Sequence, residues 1–458
     1  MQADSNGMTP LERRATVALA SVYAVRMLGL FMILPVFAIY AKELAGVTPF
    51  LVGLAIGIYG LTQAVFQIPL GTLSDRIGRK PVIVGGLLVF AAGSVVAAVS
   101  HSIYGVVAGR ALQGAGAIAA AVMALAADLT REEQRVKMMA SIGMSIGLSF
   151  SLALVLGPVL DQWMGVQGIF WLTALLALLA IGIVLLAVPS PVHTHAGRDT
   201  AVVADALRRV IGDPELLRLD LGVFALHLTL TANFVVVPVL LRDLGGLDVG
   251  RHWLVYLPVM GLSFFLMLPF LIIGEKRHKL KPVFVGAVGL LLLAELGLAE
   301  VAQGLWGLIL SLFLFFAAFN LLEASLPSLV SKIAPPDAKG SAMGVYSTSQ
   351  FLGAFVGGAL GGALYGHYGA EGVFAGGALM IALWLLAAAT MRQPPYLSSY
   401  IMRVGEVGPE QAEAVAARLE SLPGVAEAVV IPEEGVAYLK VDRKVLDESQ
   451  LRAFAAPA

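Results

Sequence analysis

The chain has 458 residues, of which 58% are hydrophobic and only 13% are charged, and its mean hydropathy is +0.86. A soluble protein of this length would divide into domains with charged surfaces, so this composition instead requires lipid around most of the chain. The net charge of −1 gives no indication of nucleic-acid binding, and the absence of cysteine excludes disulfides, thiolate metal sites and cysteine nucleophiles.

Residues 1–14 are polar, and the apolar run after them is too long for the core of a signal peptide, so we expect no cleaved signal there. Twelve apolar stretches follow, each close to the 20 or so helical residues that cross a lipid core about 30 Å thick. Within lipid each stretch must be helical, because only a helix satisfies its own backbone hydrogen bonds. The predicted spans, numbered 1–12, cover residues 16–40, 50–70, 81–100, 103–127, 138–160, 168–189, 219–241, 253–273, 282–302, 305–331, 341–365 and 372–391.

Lysine and arginine indicate the orientation, because they accumulate in cytoplasmic loops. If the N-terminus is inside, the inner tail and loops carry eighteen of these residues and the outer loops carry three, namely Lys42, Arg242 and Arg251. We therefore expect both ends of the chain to lie in the cytoplasm.

The turn between spans 2 and 3 reads Gly71-Thr-Leu-Ser-Asp75-Arg76-Ile-Gly78-Arg79-Lys80-Pro81. Orientation alone accounts for its three cations, but not for Asp75 or for glycines at both bends. The pattern G-x-L-x-D-R-x-G-R-K resembles the signature loop of the major facilitator superfamily of secondary transporters. The resemblance implies the fold of that family, with 12 transmembrane helices in two six-helix halves and the substrate at their interface near the middle of the membrane.

The resemblance also implies a role for this loop as a conformational latch. In the family, the carboxylate of Asp75 would reach the N-terminus of span 11, around Gly340, when the cytoplasmic side is closed. The free N–H groups there carry partial positive charge. Arg79 would pair with Asp128 at the inner end of span 4. The predicted latch residues are Gly71, Asp75, Arg76, Gly78, Arg79, Lys80, Asp128 and Gly340.

The two halves of the sequence are related to each other. Lys80-Pro81-Val82 reappears as Lys281-Pro282-Val283, and four residues of the first half match four of the second at a constant offset of 204. These residues are Gly157, Gly165, Gly168 and Phe170, matched by Gly361, Gly369, Gly372 and Phe374. We therefore divide the membrane part into a first half at 1–190, a cytoplasmic linker at 191–218 and a second half at 219–392. The second half has no counterpart of Asp75, so the signature loop serves a purpose beyond topology.

Glycines four residues apart on span 11 predict close helix packing, with Gly353, Gly357 and Gly361 in one register. Span 5 ends in Gly157-Pro158. In the superfamily, a glycine-rich stretch that ends in Gly-Pro on helix 5 is associated with exporters that exchange substrate for protons. The match is partial, because Ala153 stands where the first glycine belongs. A simple packing motif at the seam between the halves is an equal alternative.

Ionisable residues inside the membrane are costly and mark functional sites. Arg26, Arg110, His227 and Glu323 lie on spans 1, 4, 7 and 10, which the resemblance places around the central cavity, whereas Glu295 lies on span 9. The segment 109–116 also resembles the helix-4 motif of the family, whose arginine (here Arg110) is linked to proton coupling. Taken singly, each polar residue nearby is readily explained by a structural hydrogen bond, but together they favour a polar cavity. These residues are Tyr59, Gln63, Gln67, Gln113, Asn233, Asn320, Tyr346 and Gln350.

Beyond Arg392 the composition becomes charged, and residues 396–458 predict a cytoplasmic domain. The expected order is a strand at 401–404, a helix at 409–422, strands at 425–431 and 436–441, and a last helix at 448–455. This order predicts a small α+β ferredoxin-like domain similar to heavy-metal-associated modules. Those modules hold metal with Cys-x-x-Cys, which this chain lacks, so we expect no metal there. His193 and His195 in the linker are likewise better explained by a solvated segment than by a metal site.

A superfamily carrier with such a tail is similar to a transporter of the bacterial inner membrane, which implies that location. The sequence contains no nucleotide-binding P-loop, so we expect a proton gradient to supply the energy. We expect no cofactor. No catalytic constellation indicates an enzyme. The favoured function is proton-coupled export of small amphipathic compounds by a monomer in the lipid bilayer. The alternatives are an uptake symporter or uniporter, and a membrane receptor with a cytoplasmic sensory tail.

Overall fold

The computed structural model describes residues 7–190, 200–300, 304–335, 338–394, 398–405, 407–432, 435–442, 445–447, 450–451 and 454. The described chain is predominantly helical, with a small antiparallel sheet near its C-terminus. The helices are α1 Pro10–Phe31, α2 Leu34–Tyr40, α3 Pro49–Ile77, α4 Arg79–Val99, α5 Ile103–Ala115, α6 Ala119–Asp128, α7 Glu132–Leu186, α8 Thr200–Gly212, α9 Pro214–Asp243, α10 Trp253–Lys276, α11 Leu280–Ala299, α12 Gly304–Ile333, α13 Lys339–Ala389 and α14 Pro409–Glu420. The strands are β1 Ser398–Arg403, β2 Val425–Ile431 and β3 Val436–Val441.

Ten helical segments of the described chain are long and apolar enough to cross a membrane. Two of them, α7 with 55 residues and α13 with 51, are interrupted by Gly165 at φ 65° and Gly369 at φ 68°. Only glycine adopts such angles without strain, so each long helix is two spans that meet at a kink. Counting each as two gives twelve, and the prediction of a twelve-helix membrane fold is confirmed.

Two predicted spans are each divided into two helices. Span 1 comprises α1 and α2, and Pro35 near the start of α2 cannot continue the hydrogen-bond ladder of α1. Span 4 comprises α5 and α6, which are separated at Gly116, where ψ is 46°. The remaining spans correspond to α3, α4, the two parts of α7, α9, α10, α11, α12 and the two parts of α13.

The predicted linker contains an additional helix, α8, that the sequence analysis did not identify. Its Ala206 and Val210 are buried, and Asp213 caps the following helix α9 by accepting hydrogen bonds from two backbone N–H groups. His193 and His195, considered above as metal ligands, lie outside the described residues. Among the described residues, no group of three His, Cys, Asp or Glu side chains could hold a metal ion.

The C-terminal domain is a three-stranded antiparallel sheet in the order β1-β3-β2, covered by α14. The two later strands have the predicted bounds, and its core includes Met402, Leu419 and Leu439. The predicted last helix at 448–455 lies mostly outside the described residues. The domain touches the membrane part where Lys440 Nζ donates to the carbonyl of Ile333 at 3.3 Å, at the end of α12.

Candidate functional site

The two ends of the bundle differ, and we call the end that carries Gly71–Lys80 the motif end and the opposite end, which carries Pro49, the far end. Spans 2 and 11 join the two halves backbone to backbone toward the far end. A Cβ placed on Gly53 would lie 2.0 Å from the carbonyl oxygen of Gly358, and one on Gly60 would lie 2.3 Å from that of Phe351. Contacts this close exclude any side chain, so these glycines let the halves meet directly.

The two glycine registers of span 11 contact different neighbours. Gly353, Gly357 and Gly361 face span 7 of their own half, where built Cβ atoms would lie 2.3, 2.1 and 2.8 Å from Phe224, Leu228 and Ala232. The second register, Gly358 and Gly362, faces span 2 of the other half. One helix therefore packs tightly on both sides, once within its half and once across the interface.

Aromatic side chains also close the interface near the middle of the membrane. The Phe150 ring of the first half lies 6.5, 6.3 and 6.1 Å from Phe234, Phe316 and Phe319 of the second half. Phe319 in turn lies 5.9 Å from the ring of His227, on the motif side of this cluster. The polar residues around His227 are therefore shielded from the far end by aromatic packing.

At the motif end the predicted contact between Asp75 and span 11 is not made. Among the described residues outside its own helix, no atom lies within 4 Å of a Cβ built on Gly340, the residue predicted to receive Asp75. Asp75 pairs instead with Arg79 of its own loop, and its side chain is 37% exposed. Arg79 Nε also lies 3.2 Å from Asp128 Oδ2. The structure thus brings together Asp75, Arg79 and Asp128, and leaves the predicted partner on span 11 unengaged.

The remaining latch residues shape the loop. Gly78 has φ 99° and permits the turn between α3 and α4, whereas a Cβ on Gly71 would lie 3.0 Å from Ala120 of span 4. Lys80 Nζ donates to the carbonyl of Val188 at 2.6 Å and so ties this loop to the end of span 6. Arg76 is exposed.

Three of the predicted cavity residues lie together on the motif side of the aromatic cluster. His227 Nε2 lies 3.7 Å from Glu323 Oε2, and the Glu323 side chain is 38% exposed. Gln350 Nε2 lies 2.8 Å from His227 Nε2 and 3.3 Å from Glu323 Oε1. His227 Nδ1 lies 3.2 Å from the carbonyl of Val223, its remaining neighbour. Spans 7, 10 and 11 therefore each supply one member of a hydrogen-bonded cluster.

With the hydrogen on Nδ1, the His227 ring donates to Val223 and is neutral, and its Nε2 accepts from the amide of Gln350. In this tautomer the imidazole both donates and accepts, and the Gln350 amide joins His227 to Glu323.

A second set of predicted cavity residues is buried inside the first half. Arg26, Gln63 and Gln113 are 0%, 0% and 1% exposed, and Arg110 is 3% exposed. Arg26 Nη2 donates to Gln63 Oε1 at 3.1 Å, and Arg110 Nη1 donates to Gln113 Oε1 at 2.8 Å. Tyr59 lies between the two guanidinium groups. In this conformation these side chains stay apart from Glu323.

Other predicted cavity residues are placed differently from expectation. Asn233 is 3% exposed and donates to Glu295 Oε1 at 2.5 Å, so it faces span 9 and not the cavity. Asn320 donates to Ser263 Oγ at 3.0 Å, between spans 10 and 8. Tyr346 is buried, with no hydrogen-bond partner for its hydroxyl among the described residues. Gln67 Nε2 donates to Thr348 Oγ1 at 2.7 Å, across the interface.

The motif Gly157-Pro158 does not lie at the seam between the halves, which corrects the packing alternative. A Cβ on Gly157 would lie 2.3 Å from the carbonyl oxygen of Met32 and 2.9 Å from Pro35. The break between α1 and α2 presents this carbonyl, and a residue without a side chain is needed beside it. The motif therefore packs span 5 onto span 1 of the same half.

An ion pair at the motif end, which was not predicted from the sequence, joins α1 to the start of α7. Arg131 Nε and its backbone N–H both donate to Glu12 Oε1 at 2.9 Å. Glu12 also completes a capping box with Thr9. The signal was present as Thr9-x-x-Glu12 before an apolar run, in a segment that was interpreted only as polar.

Most of the chain matches known protein families. Residues 19–276 and 219–404 match the family described as Major Facilitator Superfamily. The chain belongs to the major facilitator superfamily. Residues 409–453 match the YajR YAM domain, which identifies the fold of the C-terminal tail. The superfamily membership also makes the chain a transporter and not an enzyme.

Individual superfamily members are similar over most of the chain. The inner membrane transport protein YajR of Escherichia coli is 49% identical over 444 residues, covering 97% of each chain. The multidrug resistance protein MdtH of Aeromonas salmonicida is 28% identical, over 75% of this chain and 86% of that protein. A crystal structure of a bacterial homologue of the human lysosomal transporter Spinster, inward-facing and occupied, superposes with a TM-score of 0.67 at 13% identity, over 84% of this chain and 96% of that one.

Proposed function

We propose that the protein is a proton-coupled exporter of small amphipathic compounds that works by alternating access. The observation that carries this proposal is the cluster of His227, Glu323 and Gln350, in which the Glu323 side chain is 38% exposed and an aromatic ring packs on the far side of His227. Two titratable groups at the interface of moving halves provide what coupling requires.

The coupling follows from how the surroundings change the proton affinity of a carboxylate. A cation or hydrogen-bond donor nearby favours the ionised form, whereas loss of that partner favours protonation. Glu323 and His227 lie 3.7 Å apart within the second half, so movement of the halves changes their exposure to water and their distance from Arg26 of the first half. Alternating access then changes the affinity for a proton, as thermodynamic linkage demands.

The same proposal includes an orientation and a location. With the motif end in the cytoplasm, the inner loops hold most of the Lys and Arg, and both termini are cytoplasmic. The similarity to an Escherichia coli protein named for inner-membrane transport supports placement in a bacterial inner membrane. The energy source is a proton gradient, no cofactor is needed, and the monomer is the working unit.

The similar MdtH protein is named for multidrug resistance, which supports drug-like compounds as the substrate class. An uptake symporter would move protons together with the compound, and a uniporter would move the compound without protons. A receptor would bind ligand through the same helices and signal through the tail without flux.

The test uses purified protein in proteoliposomes and a compound identified by a thermal-shift screen at two pH values. Glu323→Gln keeps the shape and hydrogen bonding but cannot ionise, so we expect it to lose transport driven by a pH difference and to retain downhill exchange. The matched control is Glu295→Gln, since Glu295 is buried and pairs with Asn233 in a separate hydrogen bond.

A Glu323→Gln protein that still concentrates the compound at the normal rate, driven only by a pH difference, would exclude Glu323 from coupling. An entrapped pH indicator gives the direction, because antiport moves protons against the compound and symport moves them with it. Binding without any flux would favour the receptor.

A further inference from the structure

Two arginines of the first half flank the ring of Tyr59, but only one of them has its hydrogen bonds filled. The guanidinium carbons of Arg26 and Arg110 lie 5.9 and 5.5 Å from the centre of that ring. Arg110 donates through all three nitrogens, to the carbonyls of Ala55 and Ile56 and to Gln113. Arg110 is therefore satisfied as a structural residue.

Arg26 is fully buried and is not satisfied. Only its Nη2 donates, to Gln63 Oε1 at 3.1 Å and to the carbonyl of Gly116 at 3.3 Å. Its Nε and Nη1 have no acceptor among the described residues. Gln63 Oε1 also accepts from Tyr59 at 3.2 Å, and the buried Nε2 of Gln63 has no acceptor either. Three donor nitrogens on two adjacent, fully buried side chains are therefore unfilled.

The charge is unbalanced as well. A guanidinium group stays protonated in proteins, and a buried charge needs a counter-charge or water. The described part of the chain places no carboxylate within ion-pair distance of Arg26 or Arg110. Glu323 and Glu295 lie in the other half and contact His227 and Asn233.

We propose that Arg26 and Gln63 form a binding site for a monovalent anion, best filled by a carboxylate group. Guanidinium and amide donors match carboxylate oxygens, and the positive charge strengthens each bond. The rings of Tyr59 and Phe90 flank the guanidinium, the latter 5.2 Å from its carbon, so the neighbours of a bound anion include apolar surface.

The second half covers this site in the present conformation. Phe351 of span 11 packs edge-on against Tyr59, with ring centres 6.4 Å apart. The carbonyl oxygen of Phe351 would lie 2.3 Å from a Cβ built on Gly60. Parting of spans 2 and 11 at the far end withdraws Phe351 and uncovers the Tyr59 face of the site. An anion bound to Arg26 therefore exchanges with the far side of the membrane.

The ligand is either a resident ion such as chloride or the acidic group of a transported compound, and the second case rests on the proposed function. The experiment uses the full-length protein in detergent at one fixed pH, in a buffer whose only background anion is divalent sulfate, with added chloride, benzoate or benzamide. Benzamide has the shape of benzoate without its charge. Melting temperature is the readout, since a ligand that binds only the folded state raises it.

We expect benzoate to raise the melting temperature by about 2 °C or more at saturation, and benzamide to leave it unchanged. Arg26→Gln should abolish the response, Arg26→Lys should weaken it, and the surface variant Arg218→Gln should keep it. An equal response to chloride assigns a resident ion, and a response to benzoate alone assigns an organic acid. If Arg26→Gln does not fold, Gln63→Leu should still weaken benzoate binding several-fold.

The proposal would be overturned if neither chloride nor benzoate stabilised the wild-type protein, or if the Arg26 variants kept the full response. Buried water would then be the partner of the unfilled donors. The result is separable from proton coupling, because no gradient is present. A Glu323→Gln protein should still respond to benzoate, whatever its transport activity.

Discussion

Gln67 and Thr348 are joined across the two halves, with Gln67 Nε2 at 2.7 Å from Thr348 Oγ1. Of the contacts between spans 2 and 11 described above, this hydrogen bond lies nearest the motif end. Toward the far end the helices touch through glycines, whereas a Cβ built on Gly340 at the motif end has no described atom of another helix within 4 Å. With the orientation proposed above, this arrangement corresponds to an inward-open state.

The first prediction concerns Asp75, which is free to leave Arg79 for the N-terminus of span 11 when the motif end closes. Asp75→Asn removes a charge-assisted bond of about 1–3 kcal/mol from the closed state, so closure should become roughly 5–150-fold rarer and transport should fall sharply. Cross-linking of Leu73→Cys with Ser341→Cys measures closure, and the chain has no native cysteine to remove.

The control for that measurement is Asp205→Asn, which removes an exposed carboxylate whose ion pair, with Arg209, lies within α8. It should leave cross-linking unchanged. Equal cross-linking in the Asp75→Asn protein and its parent would show that the carboxylate does not act as a latch.

A second prediction concerns the direct contact of the halves at Gly53. Gly53→Ala places a methyl group 2.0 Å from the carbonyl oxygen of Gly358, so this conformation should become strained and the opposite one favoured. Cross-linking at the motif end should rise. Gly286→Ala is the matched control, because no atom lies within 4 Å of its Cβ. Unchanged cross-linking with Gly53→Ala would mean that spans 2 and 11 do not separate there.

A third prediction concerns backbone strain at Gly165. No atom lies within 4 Å of a Cβ built there, but its φ is +65°. Gly165→Ala should therefore destabilise the protein by about 1–2 kcal/mol through conformation alone. Gly182→Ala, on a regular helical residue with equally open space, should be neutral or slightly stabilising. Thermal unfolding of both variants gives the comparison, and equal melting temperatures would contradict the argument.

The fourth prediction concerns the C-terminal domain, residues 396–458, for which we propose a regulatory and not a transporting role. Its described link to the bundle includes one hydrogen bond, from Lys440 to Ile333, so truncation after Arg392 should leave a folded carrier. Size-exclusion profiles and substrate binding measure the two properties. A well-folded truncation that binds no substrate would show that the domain contributes to the site. Lys440→Ala isolates the contact from the rest of the domain.

The twelve spans could be predicted because an apolar run in lipid has no alternative to a helix. The side of a helix on which a polar residue lies could not. His227 and Asn233 are six residues apart, so their side chains point about 120° away from each other around a helix. Sequence placed both on span 7, whereas only the packed structure shows Asn233 facing Glu295.

The cluster of His227, Glu323 and Gln350 was predicted only as a set of residues at similar depth. Its hydrogen bonds depend on the angles among three helices, which sequence does not contain. The unequal state of Arg26 and Arg110 was also beyond prediction, because both are arginines at membrane depth. The carbonyls of Ala55 and Ile56 satisfy one of them and not the other.

Gly165 and Gly369 are the single residues of non-helical backbone that connect span 5 to span 6 and span 11 to span 12. Because no loop separates the two spans of either pair, neither span can slide along the other. Spans 1 and 2, by contrast, are separated by residues 41–48, and spans 7 and 8 by residues 244–252. We therefore expect spans 5 and 6, and likewise spans 11 and 12, to move together as a rigid hairpin within each half. A flexible insert at either glycine should uncouple the two spans of the hairpin, so that movement of one no longer reaches the motif end through the other.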